Sequence, residues 1–133
     1  MRKTETDIQI RFADLDVLGH VNNVNLQHYF DLGKSAFYRE ILGVDTIPGG
    51  GRAFPITAAT ETSYLAQTRY NERIYVETSM PEIGNKSMTV AQRIVSRDTG
   101  EVKAESRSVM VAFDFAEQAS IPVPEAWRRA NGE

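Results

Sequence analysis

The chain has 133 residues, 41% hydrophobic, 25% charged and 9% aromatic, with a formal net charge of −3. That length fits one domain, residues 1–133, and a domain of this size needs no disulfide or metal staple to bury a core. The absence of cysteine excludes thiol catalysis, disulfides and cysteine-ligated zinc or iron–sulfur centres, and with His20 and His28 as its only histidines no metal site is expected. Fifteen Lys and Arg against eighteen Asp and Glu leave no basic footprint for nucleic acid. No apolar run approaches the ~18 residues of a membrane span, and Met1–Asp7 lack the apolar core of a signal segment. A cytoplasmic location is therefore expected.

Ile8, Ile10 and Phe12 alternate with Gln9 and Arg11, which predicts a short strand with one buried face. A polar, turn-forming loop follows, with Asp14, Asp16, Gly19, His20, Asn22 and Asn23. From Asn25 the period changes. Leu26, Tyr29, Phe30, Gly33, Phe37 and Ile41 recur at the spacing of a helix face, with an Asn at 22, 23 or 25 as N-cap and Gly43 as C-cap. Gly33 inside that stripe costs about 1 kcal/mol relative to Ala, a cost that close packing against a sheet would offset.

Pro48-Gly49-Gly50-Gly51 reads as a mobile loop, since it lacks the Lys-Ser/Thr ending of a phosphate-binding loop and follows a helix. Only strand patterns come after it: Phe54 to Tyr64, Ile74 to Met80, Met88 to Ile94, and a long last strand from Val102 to about Phe115, entered through an Asp98-Thr99-Gly100 hairpin. The tail Ile121–Glu125 is expected to be extended, with Trp127 near a short closing helix. Strand, long helix, then four consecutive strands argues against a doubly wound parallel sheet. One sheet face packs on the helix. The other, expected to be partly apolar, suggests a second subunit.

The densest polar constellation is Asp14 to Asn23, immediately before the helix. A helix start offers unpaired N–H groups and partial positive charge, suited to holding an oxyanion. A nearby carboxylate can activate water or attack directly. The same residue types also serve ordinary loop and capping roles.

Arg11-Phe12-Ala13-Asp14-Leu15-Asp16-Val17-Leu18-Gly19-His20-Val21-Asn22-Asn23, followed by Tyr29 and Phe30, resembles the opening segment of hotdog-fold thioesterases, in particular the 4-hydroxybenzoyl-CoA thioesterase-like branch with its bacterial acyl-CoA thioesterases. Ser63-Tyr64-Leu65, Asn71–Ile74, Ile83–Ser87 and Val109–Phe115 are similar to later segments of that family. The resemblance implies an α+β hotdog fold, one long helix wrapped by a curved antiparallel sheet of about five strands. It also implies a homodimer or homotetramer with interfacial sites and no metal or redox cofactor. The implied activity is hydrolysis of a fatty or aromatic acyl-CoA to free acid and coenzyme A. The alternatives are an acyl-carrier-protein thioester as substrate, or a non-catalytic binding module. A hotdog dehydratase is disfavoured, because three residues rather than four separate Asp16 from His20.

The family's catalytic aspartate falls on Asp16, as general base or nucleophile. Backbone amides near Asn22 to Asn25 would hold the thioester oxygen, His20 would orient water or the loop, and Asn23 would fix the loop. Asp16 and His20 also match the plant acyl-carrier-protein thioesterases, although Leu18 stands where those carry Asn. Asn22, Asn25, Lys86 and Ser87 complete the expected site as substrate-binding residues. Asp14 is expected to face away from Asp16 in a structural or solvent-facing role, and His28 to lie on the surface. Glu61 is read as part of a solvated strand face, or as the second carboxylate of an interfacial pair. Arg93 and Arg107 are read as exposed strand residues that could meet coenzyme phosphates.

Overall fold

The computed structural model describes residues 1–44 and 52–132. The expected Pro48–Gly51 loop lies outside them. The elements are β1 (Lys3–Ile8), α1 (Asn23–Phe37), β2 (Ala53–Tyr64), β3 (Ile74–Ile83), β4 (Ser87–Ser96), β5 (Val102–Asp114), the two-residue β6 (Ala119–Ser120) and α2 (Glu125–Gly132). They build one curled antiparallel sheet in the order β1-β3-β4-β5-β2, with β6 added to β5. The long helix lies against the sheet's inner face, the arrangement that the hotdog resemblance implies.

The helix forms where its periodicity demands. Leu26, Tyr29, Phe30, Gly33, Phe37 and Ile41 are all buried. Asn22 is the N-cap, its Oδ1 accepting the Val24 amide at 2.8 Å, and satisfies one of the donors that a helix start leaves orphaned. At the other end α1 runs into a single π-helical turn, Tyr38–Leu42, which Gly43 closes in the left-handed conformation at φ 71°.

Two apolar clusters fill the space beneath the helix. Near its start, Ile8, Ile10, Leu26, Tyr29 and Phe30 meet Ile74, Val76, Ile94 and Ala104. Near its end, Phe37, Tyr38 and Ile41 meet Met80, Met88, Val90 and Met110, and Val123 and Trp127 of the closing segment seal them. A polar waist separates the two. There Gln92 of β4 donates from Nε2 to the Phe30 carbonyl at 2.8 Å and to Thr78 Oγ1 at 3.0 Å. Gly33 sits directly over this waist. A Cβ added at 33 would lie 2.6 Å from Val76 Cγ1 and 2.9 Å from Thr78 Oγ1, so the helix can sit this close only without a side chain.

Two expectations change, and a third gains detail. Phe12 is 77% exposed rather than on a buried strand face, because the strand ends at Ile8 and a 3-10 turn over Phe12–Asp14 breaks the alternation. Phe12 instead meets Tyr70 edge-on. In β2 the sequence pattern of Phe54, Ile56, Ala58, Thr60, Thr62 and Tyr64 predicts one unbroken alternation, but its phase changes at Ala58, where a register shift between Thr57 and Ala59 marks a bulge. The sheet's outer face carries apolar residues, with Val109 42% exposed, but a band of charge crosses it as well. Cross-strand register aligns Glu61 with Arg107, Glu105 with Arg93 and Arg93 with Glu77, and Arg93 pairs with Glu77 at 3.2 Å.

The waist yields a sharp test. Gly33→Ala should destabilise the protein by about 1–3 kcal/mol through overpacking, despite alanine's gain of about 1 kcal/mol in helix propensity. Urea unfolding followed by circular dichroism reads the sign directly.

Candidate active site

The segment between β1 and α1 folds on itself before the helix begins. Leu15 and Val21 form an antiparallel bridge. Inside it the Asp16 amide donates to the His20 carbonyl at 2.9 Å and the Gly19 amide to the Asp16 carbonyl at 3.0 Å. Gly19 closes this turn at φ 80°, a conformation that glycine adopts without steric cost. Asp16 Oδ1 accepts the Leu18 amide at 2.9 Å. That short-range bond orients the carboxylate, and Oδ2 has no hydrogen-bond partner among the described residues. Val17 and Leu18, the next two residues of the turn, stand exposed, as does Val24 in the first turn of the helix, and Asp16 itself is half-buried.

Asp14, two residues earlier, is the opposite case. It is 1% exposed and occupied on both oxygens. Oδ1 accepts Arg11 Nε at 3.1 Å and Nη2 at 2.7 Å, while Oδ2 accepts the Arg11 amide at 3.0 Å and the Tyr29 hydroxyl at 2.5 Å. Burial pushes the Asp14 carboxyl up, but the hydrogen bonds from Arg11 and Tyr29 outweigh it and hold the group below its ordinary range. Burial and the bond to Asp14 together push the Tyr29 phenol well above its own. Asp14 is thus structural, as expected, and buried rather than solvent-facing. The 3-10 turn drives its side chain beneath the helix.

The Asp14 carbonyl adds a second tie. It accepts the Asn22 amide at 2.9 Å and Asn25 Nδ2 at 3.1 Å. Most amides at the helix start are consequently engaged. Asn22 donates to Asp14, Val24 to the Asn22 side chain, and Asn25 and Leu26 to the Asn22 carbonyl at 2.9 and 3.1 Å. Within this run the Asn23 amide has no acceptor among the described residues. An unpaired amide at the positive end of a 15-residue helix is suited to an anionic oxygen.

The other sequence-predicted residues divide into two groups. His20 is half-buried in the same loop, its backbone bridged to Arg69, and the Asn23 side chain is exposed. His28 is on the surface, with Nδ1 3.2 Å from Asn25 Oδ1. Lys86 and Ser87 are not brought to this loop within the protomer. They lie at the β3–β4 turn, where Ser87 pairs with Val111 beside the cluster at the far end of the helix. A helix of this length separates the ends by about 22 Å at 1.5 Å per residue. Glu61 and Arg107 are exposed on the outer sheet face, and Arg93 is tied to Glu77 there. Among the described residues no three His, Asp or Glu side chains gather to hold a metal ion, and no helix is long and apolar enough to cross a membrane.

Sequence reasoning missed Arg11 and Tyr29 as partners of Asp14. Tyr29 was legible as core, and its hydroxyl was the unused signal, because a buried phenol requires a partner.

A single long helix held in a curled antiparallel sheet, with a carboxylate loop at the helix start, defines a protein of the hotdog class. The chain belongs to the thioesterase-like superfamily, whose family model matches residues 10–130. A structure described as a predicted thioesterase from Bacillus stearothermophilus is 28% identical, covers 98% of this chain and 94% of its own, and superposes with a TM-score of 0.84. A Thermus thermophilus thioesterase solved with coenzyme A and Zn is 25% identical over 96% of this chain and 90% of its own, with a TM-score of 0.80. The uncharacterized protein YsmA of Bacillus subtilis strain 168 is 29% identical over 85 residues, 62% of this chain. The match spans about half of YsmA, 54% of its length.

The Asp14 cluster sets an acid limit on stability. Because its folded pKa lies below the unfolded value, its contribution is complete above about pH 4 and is lost as pH falls through the folded value. Tyr29→Phe should cost about 1.5–3 kcal/mol at neutral pH. Thermal melts between pH 2 and 7 should show a shallower acid decline in that variant than in the wild type.

Proposed function

We propose that this protein hydrolyses acyl-CoA thioesters to the free acid and coenzyme A. The observation that carries the reading is the pairing, in one loop, of an oriented carboxylate with a free oxygen (Asp16) and an unpaired helix-start amide (Asn23). In the water route, Asp16 takes a proton from water as its oxygen adds to the thioester carbonyl carbon. The Asn23 N–H donates to the resulting oxyanion, and collapse breaks the C–S bond. The thiolate then leaves with the proton that Asp16 held. In the nucleophilic route, Asp16 itself adds to the carbonyl, the thiolate leaves, and water cleaves the mixed anhydride. Oxyanion stabilisation by a preorganised donor is worth about 10²–10³ in rate. His20 orients water at the loop, the Asn22 cap and Asn25 hold the helix start in register, and the exposed Val17, Leu18 and Val24 border the acyl group.

The working unit in this reading is a homodimer. β2 ends the sheet order with one edge unpaired among the described residues, and a 12-residue open edge is a template for another strand. Antiparallel pairing of two β2 edges would reverse one protomer against the other. The Lys86–Ser87 end of the partner would then face this protomer's helix start, where Gln27 already meets Thr62 and Tyr64 of β2. That geometry supports Lys86 and Ser87 as coenzyme-binding residues acting across the interface. The reaction is assigned to the cytoplasm.

Free-thiol release from short, long and aromatic acyl-CoAs tests the activity. Asp16→Asn should lower kcat by about 10²–10⁴ while the melting temperature moves by no more than a few degrees. Full turnover in the folded variant would overturn the assignment. A wild type inert on every coenzyme A ester but active on an acyl-carrier-protein thioester would move the reading to that carrier. For the dimer, light scattering should give twice the chain mass, and Lys86→Ala should raise KM several-fold with kcat little changed.

A further inference from the structure

Lys103 of β5 is a buried lysine that the reaction proposed above does not use. Its side chain is 5% exposed, and its ammonium meets three oxygens. It donates to the Gln67 carbonyl at 3.0 Å and to Glu101 Oε1 at 2.7 Å, and pairs with Glu72 Oε2 at 2.8 Å. An ammonium has three donors and no acceptor capacity; two of them are spent in hydrogen bonds, to Gln67 and Glu101, and the Glu72 carboxylate contributes as an ion pair. Burial pushes the Lys103 ammonium down, but the carboxylates of Glu101 and Glu72 outweigh it and keep the group charged through neutral pH.

What Lys103 holds is the segment between β2 and β3. Its own carbonyl accepts the amides of Leu65 and Ala66 at 2.9 and 3.1 Å, so backbone and side chain grip the same stretch. That stretch in turn carries the catalytic loop along two arms. In the first, Gln67 leads to Thr68, whose carbonyl accepts the Val21 amide at 2.8 Å. In the second, Glu72 Oε1 accepts the Arg69 amide at 3.4 Å, and Arg69 forms the antiparallel bridge with His20. His20 also closes the turn on Asp16 through its carbonyl. Both arms end on the two residues between the Asp16 turn and the Asn22 cap.

Resting on the thioesterase reading, we propose that Lys103 is a positioning residue for that site: through Gln67 and Glu72 its ammonium sets the segment that fixes His20 and Val21, and thereby the spacing of the Asp16 carboxylate from the Asn23 amide. It touches no substrate. Its effect belongs on kcat, because a loop free to drift separates base from oxyanion donor while leaving distant contacts to the coenzyme unchanged. Catalysis is steep in such geometry, a shift of about 1 Å costing on the order of 10²-fold.

The test compares Lys103→Met, Lys103→Arg and Val90→Ala in the full chain. Val90 is buried in the far cluster and reports general destabilisation. Two readouts are taken: hydrogen exchange of peptides spanning residues 15–23, and kcat and KM from thiol release. Lys103→Met should raise exchange at 15–23 at least tenfold and lower kcat at least tenfold, with KM within threefold of wild type. Lys103→Arg should recover part of both, and Val90→Ala should change neither beyond twofold. Unchanged exchange at 15–23 in Lys103→Met overturns the proposal, as does an equal fall in kcat for Val90→Ala. If Lys103→Met does not fold, Glu72→Gln, which removes one charged arm and keeps the shape, is read by the same criteria. If the wild type cleaves no thioester, the functional reading fails, and the exchange data alone decide whether Lys103 holds the loop.

Discussion

The buried carboxylate of Asp14 joins the three parts of the candidate site. Its oxygens bind the chain behind it through Arg11 and the helix ahead through Tyr29, while its carbonyl takes the amide of the residue that caps the helix. A carboxylate removed from water is costly unless fully compensated. The segment entering the helix is therefore held to the one path that supplies those donors. The helix cap, the Asp16 turn and the unpaired Asn23 amide all take their places from that path.

Two aspartates separated by one residue thus meet opposite environments. Asp14 is buried and saturated, which makes it a fastening. Asp16 is half-buried and accepts a single local amide, which leaves its second oxygen without a hydrogen bond among the described residues. The 3-10 turn separates them by sending one side chain under the helix and the other to the rim. Arg11 and Tyr29 then complete the difference.

The same division between fastening and working groups runs through the fold. Apolar clusters at the two ends of α1 hold the helix to the sheet, and the polar waist of Gly33, Thr78 and Gln92 sets how closely it approaches. At the site end a second fastening arrives from the opposite side, where the Lys103 ammonium ties the β2–β3 segment that carries His20 and Val21. The candidate loop is consequently gripped from below by Asp14 and from the side by Lys103, with Asp16 on the free surface between them. Charged residues that never reach a substrate can govern a rate in this way, since preorganisation depends on the supports of the reacting groups as much as on the groups themselves.

The element order, the helix with its Gly43 cap, the strands after residue 53 and the Asp98–Gly100 hairpin were legible from periodicity and turn chemistry. Those signals depend on neighbours within a few residues. Gly33 as a point of close approach was legible too, because a glycine inside an apolar stripe asks for a reason. The resemblance of Arg11–Asn23 directed attention to the loop, but the sequence alone could not separate the role of Asp14 from that of Asp16. Nor could it show which asparagine caps the helix, that Ala58 shifts the phase of β2, or that charged residues line up in register across the outer sheet face. Those outcomes rest on partners far along the chain: Tyr29 for Asp14, Gln67 and Glu72 for Lys103, Thr68 for Val21. Local pattern sets which elements form, because a helix or strand closes its own hydrogen bonds over short spans. Which polar group is buried, saturated or left free is decided when distant segments meet, and only the tertiary structure brings them together.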